Sequence, residues 1–209
     1  ALMTSPVVFL AGAACFIVGI VYTFGPAPIS RMPLGEVFSG FFMGFFIPFL
    51  MVTINSPEMA PVRLTWQAPF LSLDIHLPDL ISLLLLTVPP MMGIANIMLA
   101  NNICDVTHDV AISRFTLPYY LGQKRSLLLF AALYLVSVAA IIAIALLDIL
   151  PIYTLFTLVA LLPLQKNIRR FFARQIKSDT FPLSVTNFIL IVLPPIVITF
   201  IVIIIRMVR

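Results

Sequence analysis

Residues 80–109 read LISLLLLTVPPMMGIANIMLANNICDVTHD, an apolar run that ends in two carboxamides and two carboxylates. Leu80–Cys104 exceeds the about 20 residues needed to cross the hydrocarbon core of a bilayer. Acids at the boundary of such a segment are costly unless they are used. At about 100° per residue, Asn101, Asn102, Asp105 and Asp109 fall within an arc of about 100° and share one helix face. Oxygen ligands grouped this way suit a hard divalent cation, and Mg²⁺ takes one or two carboxylates together with waters and substrate phosphates. The residues alone therefore point to a metal–diphosphate site at a membrane surface. They also admit a plainer reading, a solvated helix end whose acids meet Arg114, Lys124 or Arg125.

Composition sets the class. The 209 residues are 62% hydrophobic and 10% charged, with mean hydropathy +1.16, whereas a soluble domain carries about 25% charged residues. An all-α integral membrane protein is predicted. Six apolar segments are visible, at about Ser5–Phe24, Val37–Asn55, Leu80–Cys104, Ser126–Leu147, Leu150–Leu164 and Leu183–Ile205. The fifth is short and calls for snorkelling by Lys166 and Arg170 or for local thinning of the bilayer. The net charge of +4 reads as basic loops facing an anionic leaflet and not as a nucleic-acid surface. Cys15 and Cys104 lie in or at the end of apolar segments and read as small apolar residues with no disulfide.

Loop charges orient the bundle. Arg31, Arg114, Lys124, Arg125, Lys166, Arg169, Arg170, Arg174 and Lys177 fall in or beside the loops on one side, against Arg63, Arg206 and Arg209 on the other. Nine against three places the aspartates in the cytoplasm by the positive-inside rule. Six crossings then leave both termini outside the cytoplasm. The first segment also has no basic stretch before it and no small-residue cleavage signature, so it is not a signal peptide. The expectation is that an odd number of helices precedes Ala1. The Ser56–Asp79 connection, with Trp66, Phe70 and four prolines, reads as an ordinary external loop, with a lid as the alternative. Its Leu64, Trp66, Phe70, Leu71 and Leu73 are candidates for a short interfacial element.

The run Asn101-Asn102-Ile103-Cys104-Asp105-Val106-Thr107-His108-Asp109, followed by Arg114-Phe115-Thr116-Leu117, resembles the second Asp-rich motif of the UbiA-type intramembrane prenyltransferases. Within them it is most similar to the 1,4-dihydroxy-2-naphthoate branch, whose motif runs Asn-Asn-x-Arg-Asp-x-x-x-Asp, then a basic residue, x, Thr-Leu. The turn Tyr22–Pro28 with Leu34-Gly35-Glu36 resembles a second motif of that branch. Cys104 stands where the branch has Arg, and Ser113 where Gly is usual. The family's first Asp-rich motif is nowhere in these residues. The resemblance thus implies a single domain made of the last six of nine helices, with the upstream helices as missing partners.

It also implies chemistry. Mg²⁺ bridges Asp105, Asp109 and Asn101 to the diphosphate of a polyprenyl donor, with Asp105 and Asp109 as the catalytic pair. Asn102, Arg114, Lys124 and Tyr22 are the implied substrate-binding residues, although on residues alone Lys124 reads equally as a topology-setting charge and Tyr22 as an ordinary interfacial tyrosine. The implied reaction is Mg²⁺-dependent prenylation of an aromatic acceptor, dihydroxynaphthoate in menaquinone synthesis, while the isoprenoid tail stays in membrane lipid. Another acceptor, 4-hydroxybenzoate or haem, is the alternative within the family; the Asn-Asn start and the Arg-x-Thr-Leu ending argue against it. A six-helix, cation-linked transporter is the non-enzymatic alternative. A transporter favours polar residues at broken helices near mid-membrane, and here the acids gather at one boundary.

Overall fold

The computed structural model describes residues 5–26 and 28–208; Arg209, counted above among the loop charges, lies outside them. The helices are α1 (Pro6–Thr23), α2 (Gly35–Asn55), α3 (Leu77–Ala111), α4 (Leu117–Leu146), α5 (Leu161–Ala173) and α6 (Pro182–Val208). All of them except α5 are long and apolar enough to cross a membrane. Their many exposed apolar side chains, Phe16, Leu135 and Phe200 among them, fit a lipid surround. Between helices in lipid the driving force is close packing and hydrogen bonding, because tails are as apolar as leucine.

Three elements depart from the expected segments. The fifth is not a short span over Leu150–Leu164. A 3-10 helix at Ile152–Ala160 runs into α5, which continues to Ala173. Nine residues at about 2.0 Å give ~18 Å, and the 13 of α5 add ~20 Å. The apolar part ends at Leu164, and α5 beyond it carries Lys166, Arg169 and Arg170, so this segment is not among those long and apolar enough to cross by themselves. The Ser56–Asp79 loop holds an antiparallel hairpin, β1 (Val62–Gln67) paired with β2 (Phe70–Ile75). Finally, α3 has 35 residues, about 52 Å against a hydrocarbon core of about 30 Å. The helix is therefore longer than the apolar layer it crosses.

The helices α3 and α4 pack along each other around Leu99, Ile103, Phe130, Tyr134 and Phe171. A second cluster, Ala11, Phe45, Phe49 and Leu83, joins α1, α2 and α3 at the opposite end from the aspartates. Gly40 and Gly44, one turn apart on α2, meet α3 where Pro89 and Pro90 interrupt it. A Cβ on Gly44 would lie 2.5 Å from Met91 Cα, and one on Gly40 2.7 Å from Met91 O. Small residues four apart let two membrane helices touch backbone to backbone. Midway along α2, Phe42–Phe46 form a π turn.

Gly44→Ala should destabilise the protein by about 1–3 kcal/mol, because the atoms it meets are backbone and have nowhere to go. Gly12→Ala and Gly19→Ala, where a Cβ meets nothing within 4 Å, should leave thermal unfolding in detergent unchanged.

Candidate functional site

Three connections converge at one end of the bundle: residues 24–34, 112–116 and 174–181. Phe115 N donates to Arg31 O at 3.1 Å, and Arg114 Nε donates to Ser30 O at 2.9 Å. The end of α3 is closed by Ser113 N on Val110 O (3.1 Å) and Arg114 N on Asp109 O (2.8 Å). That pattern needs a left-handed residue just past the helix, most often glycine, and Ser113 fills it at φ 56°. The expected glycine at this position thus has a backbone reason.

The polar arc of α3 divides into two halves. On its inner edge Asn102 is buried, and its Nδ2 donates to Glu36 Oε1 at 2.9 Å. Glu36, only 3% exposed, keeps Oε2 without a partner. Asp109, 2% exposed, faces the Arg114 guanidinium at 3.6 Å and leaves its own Oδ2 unpaired and buried. On the outer edge Asn101 and Asp105 remain half-exposed. Both carry oxygens that accept from the Lys177 ammonium, Asp105 Oδ2 at 2.5 Å. Lys177 arrives from the α5–α6 connection and also lies over the Phe181 ring at 5.1 Å.

The remaining candidates sit apart from this cluster. Arg114 is committed to Asp109 and the Ser30 carbonyl, as a clamp across two connections. Lys124 is exposed and joins none of the ion pairs among the described residues. Tyr22 points into the bundle one helical turn deeper, its hydroxyl 3.2 Å from Ser39 Oγ and 4.0 Å from Met98 Sδ. Cys104 lies off the polar arc, lining a cavity of about 360 Å³ with Thr107, Tyr119 and Gln123. His108 is exposed.

Two contributors were not among the residues expected here. Glu36 carries the same signal as the aspartates, an acid at the mouth of an apolar span. Lys177 carries none, since nothing in its spacing ties it to a residue 72 positions earlier. As a cation site the arrangement is sparse but chemically apt. Among the described residues, no group of three or more His, Cys, Asp or Glu converges on one point. Asn101 and Asp105 nevertheless aim oxygens at a single positive charge, and Asp109 Oδ2 is free. A hard ion that takes one or two carboxylates and completes its shell with water and phosphate fits that set.

The sequence profile of the UbiA prenyltransferase family matches residues 1–204. The chain belongs to that family. A UbiA relative, the 1,4-dihydroxy-2-naphthoate octaprenyltransferase of Bacillus subtilis (strain 168), is 29% identical over 128 residues. The match takes in 61% of this chain and 35% of the relative, so the chain spans about a third of the curated relative's length. No solved structure matches. The UbiA assignment and the long apolar helices make this a multi-pass membrane protein.

Ser113 stands where the resembling UbiA branch has glycine, and an L side chain in the left-handed region costs about 1–2 kcal/mol. Ser113→Gly should therefore raise stability by about 1 kcal/mol, read as a higher unfolding midpoint in detergent.

Proposed function

We propose that these residues form the diphosphate-holding side of a site that transfers a polyprenyl group from polyprenyl diphosphate to an aromatic acceptor. The acceptor class is that named by the matched relative, 1,4-dihydroxy-2-naphthoate. The observation carrying this reading is the convergence of Asn101 and Asp105 on one cation, at the bundle end where the basic loop residues gather. Family membership supports it. An apolar cavity of about 590 Å³ between α2, α3, α4 and α6, lined by Pro48, Leu83, Pro90, Ile144 and Ile191, supports a long isoprenoid ligand. Pro90 lies ~22 Å along α3 from Asp105, a span that such a chain bridges.

Asp105, Asn101 and Asp109, the last through its unpaired Oδ2, are the residues of this chain that would hold Mg²⁺. When bound, Mg²⁺ neutralises charge on the departing diphosphate. Lys177 rests on Asp105 in the free protein and turns to a phosphate oxygen as the donor enters, giving the leaving group a point charge. Arg114 fixes Asp109, so its Oδ1 is held and its Oδ2 keeps one direction. Glu36 fixes Asn102 and hence the rotation of α3 about its axis. Tyr22, one turn deeper, lines the apolar space between α1 and α2, beyond reach of the diphosphate and suited to the prenyl or ring portion. Lys124 adds exposed positive charge near the start of α4.

Asp105→Asn should lower turnover by orders of magnitude at unchanged stability. Asp109→Asn should lower both, stability by about 1–3 kcal/mol, because the Arg114 guanidinium 3.6 Å away is left without its counter-charge in a largely buried site. Lys177→Met should raise the KM for donor about tenfold, the worth of one charge-assisted hydrogen bond, with Lys177→Arg recovering part of it. Near-normal Mg²⁺-dependent turnover in either aspartate variant overturns the site.

The basic excess supports a cytoplasmic placement of this end. A cysteine at Ser178 should resist a membrane-impermeant thiol reagent on intact cells, and one at Ser72 in the hairpin should react. The reverse pattern overturns the orientation.

A further inference from the structure

The hairpin between α2 and α3 is two-faced. Its register pairs Val62 with Ile75, Leu64 with Leu73 and Trp66 with Leu71, and between them Arg63 with Asp74, Thr65 with Ser72 and Gln67 with Phe70. Side chains alternate across a strand, so the first three pairs put six apolar residues on one face without interruption. The other face carries Arg63, Asp74, Thr65, Ser72 and Gln67, with Phe70 as its one apolar residue, at the turn and apart from the interfacial residues the sequence grouped it with. An isolated two-stranded hairpin is marginal in water, and an unbroken apolar face exposed to water makes it worse.

The surroundings settle which way that face points and what lies beneath it. Val62 packs against the cluster of Ala11, Phe45, Phe49 and Leu83, where α1, α2 and α3 leave the membrane. Val62 and Leu64 are half-buried there, while Trp66, Leu71, Leu73 and Ile75 are exposed, Trp66 to 78%. The apolar face is therefore the one turned towards the spanning helices, and its outer two-thirds overhang them. The two helices that bracket the hairpin both cross the membrane, which holds it at the headgroup plane. Tryptophan concentrates at that depth, with its ring among the acyl carbonyls.

We propose that β1 and β2 lie flat on the bilayer surface opposite the aspartates, with Trp66, Leu71 and Leu73 inserted among the lipids as an interfacial anchor. The polar face, Arg63 and Asp74 included, looks to water. The occupant of the apolar face is the lipid headgroup–acyl boundary. The anchor ties the α2–α3 connection to the membrane on the side away from the chemistry, so it holds independently of the proposed reaction.

Trp66 is the sole tryptophan of these residues, which makes its depth directly readable. The protein is reconstituted in nanodiscs of phosphatidylcholine with or without bromine on the acyl chains, and iodide is used as the aqueous quencher. Trp66→Phe protein supplies the background. Brominated lipid should remove most of the Trp66 emission and iodide little of it. A tryptophan moved to the other face, Ser72→Trp in the Trp66→Phe background, should show the opposite preference. Quenching of Trp66 by iodide and not by brominated lipid would place the face in water. Protection from both would mean that protein covers it. Either result overturns the anchor, and the measurement on unaltered Trp66 stands even if a variant fails to fold.

Discussion

The close approach of α2 to α3 at Met91 governs what the rest of the bundle can do. Two glycines one turn apart remove the side chains that would otherwise keep the helix axes separated. Only at that distance does a carboxylate as short as Glu36 reach Asn102 across the interface. That bond is made where water is scarce, and an unpaired partner there carries a desolvation cost of about 1–3 kcal/mol. It therefore selects one rotation of α3. Asn101, Asp105 and Asp109 are carried along in that rotation, so a contact of backbone on backbone in mid-membrane sets the geometry of acids near the surface.

The two aspartates are not equivalent, although four residues apart on one helix face. Asp109 is enclosed, held by Arg114 and by the helix end that the same residue closes. Asp105 is open and is neutralised by a lysine on a long, rotatable stem. Like charges at that spacing repel, and two separate cations relieve the repulsion here. One of them is locked into the fold, and the other can leave at the cost of an exposed ion pair worth about 1 kcal/mol or less. A site that must exchange its own charge for a ligand's is served by that asymmetry.

Much of this was open to reading in the residues. The long apolar segments, the polar arc of Asn101 to Asp109 and the collection of basic loops at one end follow from periodicity, length and charge. What escaped did so for physical reasons. The hairpin's alternation is present in Val62–Trp66 and Leu71–Ile75, but the prolines around it mask a two-residue period. The 3-10 course of Ile152–Ala160 depends on a small difference in hydrogen-bond register that composition does not encode. Lys177 meets Asp105 only because α5 and α6 return to the same end of the bundle. Glu36 is different: its cost at the mouth of a span was computable, and its partner was not.

The π turn at Phe42–Phe46 bears on how the gene can vary. Such a turn is a helix that has accommodated one additional residue. The buried positions of α2 record it: Glu36, Gly40 and Gly44 form one stripe, and Phe45, Phe49 and Thr53 form a second, shifted by one. Excising the additional residue would restore regular winding and join the two stripes into one, whereas adding or removing a residue in the regular turns on either side would swing one half of the helix by about 100° relative to the other. Either Glu36 would then face hydrocarbon or the phenylalanine stripe would leave its cluster. Substitutions in this stretch can be absorbed side chain by side chain. A change in length outside the π turn cannot, and in-frame indels should be far rarer in those regular turns than in the connections at either end.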